Sequence, residues 1–188
     1  MRIKYNAPAV LTFTLVSVLA LALTKFYLPD LIGTWFTVPG KEKFSPSSLN
    51  NWVSLFSHII GHSGWNHLIN NFMLILLLGP MLEENYGSGI LLFMIGVTAI
   101  VTGVLNIFLF SPPLLGASGI VFMMILLASF TNITRGEIPL TFILVLALYL
   151  GDQIIRSSNA NNISYFAHIA GGFCGSLFGF FFRTRRSR

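Results

Sequence analysis

Ser118 and His168 are the two side chains of this sequence best suited to do chemistry. Ser118 lies in Leu-Leu-Gly-Ala-Ser-Gly (114–119), and His168 lies in Ala-His-Ile-Ala-Gly-Gly (167–172). Both stretches are apolar enough for a lipid bilayer, where a polar side chain is costly and points to a functional site. A serine and a histidine together indicate a nucleophile and the base that activates it.

The composition predicts that lipid surrounds most of the chain. The 188 residues are 54% hydrophobic and only 9% charged, whereas soluble domains carry about 25% charged residues. Uncharged runs cover 5–24, 44–82, 85–134, 138–151 and 157–182. A helix needs roughly 20 apolar residues to cross the hydrocarbon core.

These runs predict one all-α membrane domain, 1–188, with six transmembrane helices. The run 85–134 is too long for one helix and breaks at Pro112-Pro113, because proline cannot continue a helix. The predicted spans lie near 5–24, 65–82, 89–110, 116–134, 138–155 and 163–182. The connection 25–64 is rich in aromatic residues, which suit the membrane–water interface, so we expect it to lie partly in the outer leaflet.

The basic residues predict that both termini are cytoplasmic. An inside assignment of the termini leaves few basic residues outside, as the positive-inside rule requires. Those inside are Arg2, Lys4, Arg135, Arg183, Arg185, Arg186 and Arg188, and those outside are Lys25, Lys41, Lys43 and Arg156. The alternative is that residues 1–22 form a cleaved signal peptide, which would leave five spans and an outside N-terminus.

In the six-span topology the polar candidates share one depth. The second, fourth and sixth spans run from outside to inside. His67 and Asn71 lie in the first turns of the second span, Ser118 opens the fourth, and His168 lies early in the sixth. We therefore expect all four in the outer third of the bilayer, where water can reach them from the outer face.

Small residues provide a way for the fourth and sixth spans to meet. Ala167, Gly171, Gly175 and Gly179 are spaced by four residues on the sixth span, and Gly172 lies four residues after His168. Gly116 and Gly119 flank Ser118. Small residues at this spacing let membrane helices approach closely, so the hydroxyl and the imidazole are expected within hydrogen-bonding reach, as base catalysis requires.

Together these motifs resemble the rhomboid family of intramembrane serine proteases. Gly-Ala-Ser-Gly (116–119) is similar to the family's Gly-x-Ser-Gly nucleophile motif, and Ala-His-x-x-Gly-x-x-x-Gly (167–175) to its base motif. His58, His62, His67 and Asn71 follow the histidine pattern leading into the second helix. Glu83 with Gly87-Ser88 resembles the turn after it. The resemblance covers about 50–182.

The resemblance implies a Ser118–His168 dyad that hydrolyses peptide bonds in or near transmembrane segments of membrane proteins. It implies oxyanion donors from the His67 side chain, the Asn71 amide and the Ser118 backbone N–H. Phe122 stands where many relatives have a tyrosine beside the catalytic histidine. The supporting residues are Gly116, Gly119, Phe122, Gly171, Gly172, Gly175, His58, His62 and Glu83.

The resemblance also carries expectations about cofactors, partners and cellular location. We expect no cofactor, no metal, no nucleic acid and no oligomer required for the active site. The expected partners are transmembrane substrates and membrane lipids, in a multi-pass protein of a prokaryotic inner membrane whose site opens to the outer face.

Alternatives remain for several residues and for the function. Asp152 orienting His168 as a third member is one alternative, although solvation of its carboxylate at a helix end or in a loop is favoured. A metal ion shared by His58, His62 and His67 is a second alternative, although hydrogen bonds between loop and helix are favoured. Glu83 is expected at the inner interface, bonding backbone donors of the following turn. The alternative functions are a non-catalytic rhomboid-like binding protein and, less favoured, a transporter using intramembrane histidines.

Overall fold

The computed structural model describes residues 5–130, 140, 143–144, 147–148 and 163–182. Its elements are seven helices: α1 (Pro8–Phe26), α2 (Leu31–Trp35), α3 (Leu49–Ser57), α4 (Trp65–Tyr86), α5 (Ser88–Leu109), α6 (Ser118–Ser129) and α7 (Ile163–Phe181). An isolated backbone bridge joins Val38 and Leu114. The prediction of an all-helical protein is confirmed for the described part of the chain.

Three helices, α1, α4 and α5, are long and apolar enough to cross a membrane. They correspond to the first three predicted spans. Helices α6 and α7 are also apolar, but over the residues described their apolar stretches are shorter than these three spans. The predicted fifth span, 138–155, lies almost entirely outside the described residues, as do Asp152 and the basic C-terminus. The count of six spans therefore stays a prediction.

Glu83 joins three helices at one end of the bundle. Its carboxylate accepts the backbone N–H groups of Ala9 (2.9 Å) and Val10 (3.0 Å) and the hydroxyl of Ser88 (2.7 Å). The first N–H groups of a helix have no partner within that helix, so this carboxylate caps α1 from α4. The expectation that Glu83 bonds backbone donors in the following turn was wrong, because the backbone donors belong to α1 and the turn contributes a hydroxyl.

The connection from Tyr27 to Gly64 is packed into the bundle. Its helix α3 lies against α5 so closely that a Cβ on Gly103 would be 2.7 Å from the carbonyl oxygen of Leu55. Before α3 in the chain, Val38 exchanges two backbone hydrogen bonds of 2.9 Å with Leu114. This connection therefore holds the segment that leads into α6.

The helices are apolar on both their inner and their outer faces. Met94 and Met123 are fully buried at the centre, whereas Leu77, Phe173 and Leu19 are more than half exposed on the outside. A soluble helix would place polar residues on that outer face. Large apolar side chains directed outward on several helices are typical of a surface covered by lipid.

Candidate active site

The closest helix contact in the described bundle brings α6 and α7 together. A Cβ on Gly171 would lie 2.0 Å from the carbonyl oxygen of Gly119, and a Cβ on Gly175 would lie 2.2 Å from that of Met123. Only glycine permits backbones to approach so closely. The predicted meeting of the two small-residue faces is found where Gly171 lies against Gly119, whereas Gly175 lies against the backbone of Met123.

This contact brings the neighbourhood of Ser118 to that of His168. A Cβ on Gly119, the residue after Ser118, would lie 3.3 Å from the carbonyl oxygen of Ala167, the residue before His168. The rings of Phe122 and His168 lie 4.4 Å apart between centroids and are tilted by 38°. The Phe122 ring on α6 therefore packs against the imidazole of His168 on α7.

Ser118 is the first residue of α6 and is partly exposed. Its backbone N–H therefore belongs to the first turn, where amide groups have no partner within the helix and the helix dipole is positive. Gly116, two residues earlier, has a φ of +113°, a conformation that residues other than glycine rarely adopt. The chain thus turns sharply into the helix at Ser118.

His67 and Asn71 lie on the same side of α4 and face this turn. A Cβ on Gly116 would be 2.8 Å from His67 Nε2 and 3.9 Å from Asn71 Nδ2. The amide of Asn71 donates to the carbonyl of His67 (3.1 Å), and the Ser63 hydroxyl lies 3.1 Å from His67 Nδ1. Polar groups from α4 therefore converge on the space beside Gly116 and Ser118.

His62 also supports the turn, with its ring next to that of His67 (4.9 Å between centroids). Its Nδ1 lies 3.0 Å from the carbonyl oxygen of Ile60, and its Nε2 accepts the N–H of Ala117 at 3.4 Å. Because a carbonyl can only accept, Nδ1 carries the proton and Nε2 is the acceptor. Burial lowers the pKa of His62 to about 4, so the ring is neutral, as this pair of bonds requires.

His58 supports the same segment from α3. Its carbonyl accepts the N–H of Gly116 (2.9 Å), and its ring nitrogens face the carbonyl of Ser54 and the hydroxyl of Thr102 on α5. Burial lowers its pKa to about 4 as well. The prediction that His58 and His62 hold loop and helix together by hydrogen bonds is confirmed, with α5 and the turn before α6 as the partners.

The metal alternative for the histidines has little support from this geometry. Both ring nitrogens of His58 and both of His62 already face protein groups. In the part of the chain that the structure describes, no group of three or more His, Cys, Asp or Glu side chains is arranged to hold an ion.

Two of the predicted supporting residues contribute little beyond packing. Gly172 is buried on α7, and its carbonyl accepts the hydroxyl of Ser176 (3.0 Å). Glu83 lies at the far end of α4 with the N-terminus of α1, so it stabilises the bundle without approaching Ser118.

Sequence reasoning missed three contributors to the site. Ser63 lies within hydrogen-bonding distance of His67. Thr102 lies within hydrogen-bonding distance of His58, and its methyl group would be 3.3 Å from a Cβ on Gly119. The bridge between Val38 and Leu114 fixes the segment before α6. Ser63 precedes His67 by four residues, a spacing that could have suggested it, but the other two contacts join segments far apart in the chain.

Comparison with known proteins assigns the family. The model of the Rhomboid domain matches residues 49–185. The chain is 31% identical over 160 residues to Rhomboid-related protein 1 of Caenorhabditis elegans, covering 77% of this chain and 44% of that protein. It is 30% identical over 153 residues to Rhomboid-related protein 2 of Mus musculus, covering 73% and 50%.

One bacterial relative is named as a protease. The chain is 29% identical over 173 residues to Rhomboid protease GluP of Bacillus subtilis (strain 168), covering 86% of this chain and 34% of that protein. The chain thus spans half or less of the length of each of these relatives.

Proposed function

This chain belongs to the rhomboid family, and from that premise we propose that it is a serine endopeptidase. Its substrates are membrane proteins cleaved in or near their transmembrane segments. Ser118 is the nucleophile and His168 is the general base and acid. A family that includes a named protease, together with both reactive side chains in this chain, supports the proposal.

The contact between Gly119 and Gly171 is the observation that carries the proposal. It joins the residue after Ser118 to the helix turn that follows His168, at a separation that only glycine allows. A purely structural helix contact needs no serine and histidine on either side of it. This apposition supports a close placement of the two side chains, which base catalysis requires.

In the proposed first step, the Ser118 hydroxyl attacks a peptide carbonyl carbon while His168 takes the hydroxyl proton. His168 then returns that proton to the amine as the carbon–nitrogen bond breaks, leaving an acyl-serine. A water molecule then gives a proton to His168 and attacks this ester, and His168 returns the proton to the Ser118 oxygen as the carbon–oxygen bond breaks and the new carboxyl end leaves. The ring of Phe122 against His168 holds the imidazole through both steps.

The oxyanion formed in each step needs preorganised donors. We assign this role to the backbone N–H of Ser118, the His67 side chain and the Asn71 amide, because all three border the space beside Gly116. The Ser63 hydroxyl supports His67 in this role. When it donates to Nδ1, the proton of a neutral imidazole resides on Nε2, which is the nitrogen beside Gly116.

The proposed substrate is a transmembrane helix that unwinds locally at the top. The carbonyls of an intact helix are bonded four residues along, so an extended segment must form before Ser118 can attack. We propose that the termini are cytoplasmic in a prokaryotic inner membrane and that the site opens to the outer face. The distribution of lysine and arginine supports this orientation.

The test uses a fluorophosphonate probe and a cleavage assay on the full-length protein in detergent or liposomes. Wild type is expected to label at Ser118 and to cleave a model transmembrane substrate. Ser118→Ala and His168→Ala are expected to lose both signals. Ser129→Ala is a matched control, since this serine lies on the same helix and its hydroxyl donates to the carbonyl of Ile125 within that helix.

Retained cleavage in Ser118→Ala would exclude Ser118 as the nucleophile. A wild type that folds, binds membrane proteins and neither labels nor cleaves would favour the non-catalytic rhomboid-like alternative. Solute flux that survives Ser118→Ala would instead favour a transporter.

A further inference from the structure

An apolar groove opens on the outside of the bundle between α1 and α5. It has a volume of about 580 Å³, and its walls include Ala9, Phe13 and Val16 from α1, Leu92 and Ile95 from α5, and Phe56 from α3. Val16, Leu92 and Phe56 are 41–51% exposed. The groove therefore faces the lipid, and neither Ser118 nor His168 is among its described lining residues.

A polar pocket adjoins this groove at the end of the bundle where α1 and α5 begin. It has a volume of about 470 Å³ and is lined by Asn6, Pro80, Glu83, Glu84 and Gly87 together with Pro8 and Ser88. Pro8 and Ser88 line the apolar groove as well. The two cavities therefore adjoin at these two residues, with the polar one at the helix ends and the apolar one beside the helices.

The dimensions match one leaflet of a bilayer. From Pro8 to Val16 the groove follows α1 for about 12 Å, and from Ser88 to Ile95 it follows α5 for about 10 Å. Half of a hydrocarbon core is about 15 Å thick. A chain that enters at the polar pocket and lies along the groove would end near the middle of the bilayer, beneath Phe56.

The charge of the polar pocket selects among lipids. Two carboxylates, Glu83 and Glu84, line it, and no lysine or arginine is among its described lining residues. Glu83 is committed to α1 and Ser88, whereas Glu84 is exposed. An anionic headgroup would be repelled by this wall, and an ammonium group would be attracted.

We propose that this groove and pocket bind one phospholipid that carries a primary ammonium headgroup. One acyl chain lies between α1 and α5, the ammonium group donates to Glu84, and the amide of Asn6 faces the phosphate. The site is independent of the proposed proteolysis. It would stabilise the packing of α1 against α5, which the groove otherwise leaves open.

The test is native mass spectrometry of the full-length protein, released from detergent after incubation with lipids of identical acyl chains. Phosphatidylethanolamine, phosphatidylglycerol and phosphatidylcholine are added at equal concentration. The one-lipid adduct is expected to favour phosphatidylethanolamine over phosphatidylglycerol by about two- to fivefold, the range for an exposed ion pair. Glu84→Gln should bring this ratio close to one, and Glu42→Gln, an exposed glutamate in the loop before α3, should leave it unchanged.

The apolar part has its own matched pair of variants. Leu92→Trp fills the groove and should reduce adducts of all three lipids. Ile100→Trp adds a similar volume at a similarly exposed position of α5 outside the groove and should not. Val16→Trp repeats the test from α1 if Leu92→Trp does not fold.

Three outcomes would overturn the proposal. They are a preference for phosphatidylglycerol, an equal effect of Glu84→Gln and Glu42→Gln, and an equal effect of the tryptophans at 92 and 100. A dimer of the chain that Leu92→Trp dissociates would replace the lipid with a second copy as the occupant.

Discussion

Gly171→Ala is the substitution with the most sharply defined consequence. The new Cβ would lie 2.0 Å from the carbonyl oxygen of Gly119. An unstrained carbon–oxygen contact is about 3.3 Å, so the backbones of α6 and α7 must separate by more than about 1 Å. A flexible side chain could turn away from the methyl group, but a backbone carbonyl within a helix cannot.

The separation has two measurable effects. Overpacking of this kind costs about 1–3 kcal/mol of stability, which lowers the midpoint of thermal unfolding in detergent. It also moves His168, one turn before Gly171, relative to Ser118, which directly precedes Gly119. A misplacement of about 1 Å can cost 10²-fold in rate, so cleavage per folded molecule is expected to fall by about two orders of magnitude.

Two further glycines separate these effects. Gly179→Ala would place its Cβ 2.4 Å from the ring of Phe130, about 16 Å along α7 from His168. It should therefore lower stability with a much smaller loss of cleavage per folded molecule. Gly89→Ala meets nothing within 4 Å and should change neither quantity. Wild-type cleavage by a folded Gly171→Ala protein would refute the link between this helix contact and the dyad.

Three other predictions follow from the surroundings of the site. Because burial lowers the pKa values of His58 and His62 to about 4, the unfolded chain binds more protons than the folded one below pH 6.5. Stability should therefore fall from pH 6.5 toward pH 4, by up to about 3 kcal/mol for each histidine; unfolding midpoints across pH 5–8 test this, and a flat profile contradicts it. Glu83→Gln weakens three hydrogen bonds to a carboxylate and should destabilise the protein by about 1–3 kcal/mol while the cleavage rate of the folded fraction is unchanged; a selective loss of cleavage would place Glu83 in the chemistry. Gly116→Ala imposes about 1–3 kcal/mol of backbone strain and displaces the His67 ring, so kcat should fall more than the unfolding midpoint predicts, and equal kcat in the folded variant would argue against an oxyanion role for His67.

Charge gaps and prolines were enough to predict the helices that long apolar runs form. α4 ends and α5 begins at Gly87, which has a φ of +89°. The sequence indicates this turn, because a glycine there separates a polar segment from an apolar run. The short helices α2 and α3 were not predicted. Nine or fewer residues within an aromatic loop have no clear period, and α3 is held by tertiary contacts with α5.

Some features of the site could likewise be predicted from the sequence, whereas others depend on the tertiary structure. The four-residue spacing of small residues on α7 predicted its contact with α6, because a helix repeats its face at that interval. The proximity of His67 to Gly116 depends on how α4 crosses the segment before α6. The segment before α6 is also paired with Val38 through the bridge to Leu114, which joins residues far apart in the chain.

The partner of Glu83 was mispredicted for a physical reason. A carboxylate near a helix end and a following Gly-Ser suggest a local turn, and the Ser88 hydroxyl does donate to it. However, the carboxylate also accepts two N–H groups from the first turn of α1, which have no partner within their own helix. A distant helix N-terminus cannot be read from the local spacing around Glu83.

The histidines near Ser118 differ in the partners of their ring nitrogens, and this difference separates the supporting role of His58 and His62 from the oxyanion role proposed for His67. His58 and His62 each direct one nitrogen at a carbonyl and the other at a hydroxyl or an amide, so burial without charge is tolerated. His67 directs Nδ1 at Ser63 and leaves Nε2 beside Gly116, where a reacting carbonyl oxygen would lie. Substitutions at His58 and His62 should therefore act through stability, whereas a conservative change at His67 should act on kcat. A His67 variant that loses stability and keeps its rate would place this histidine with the other two.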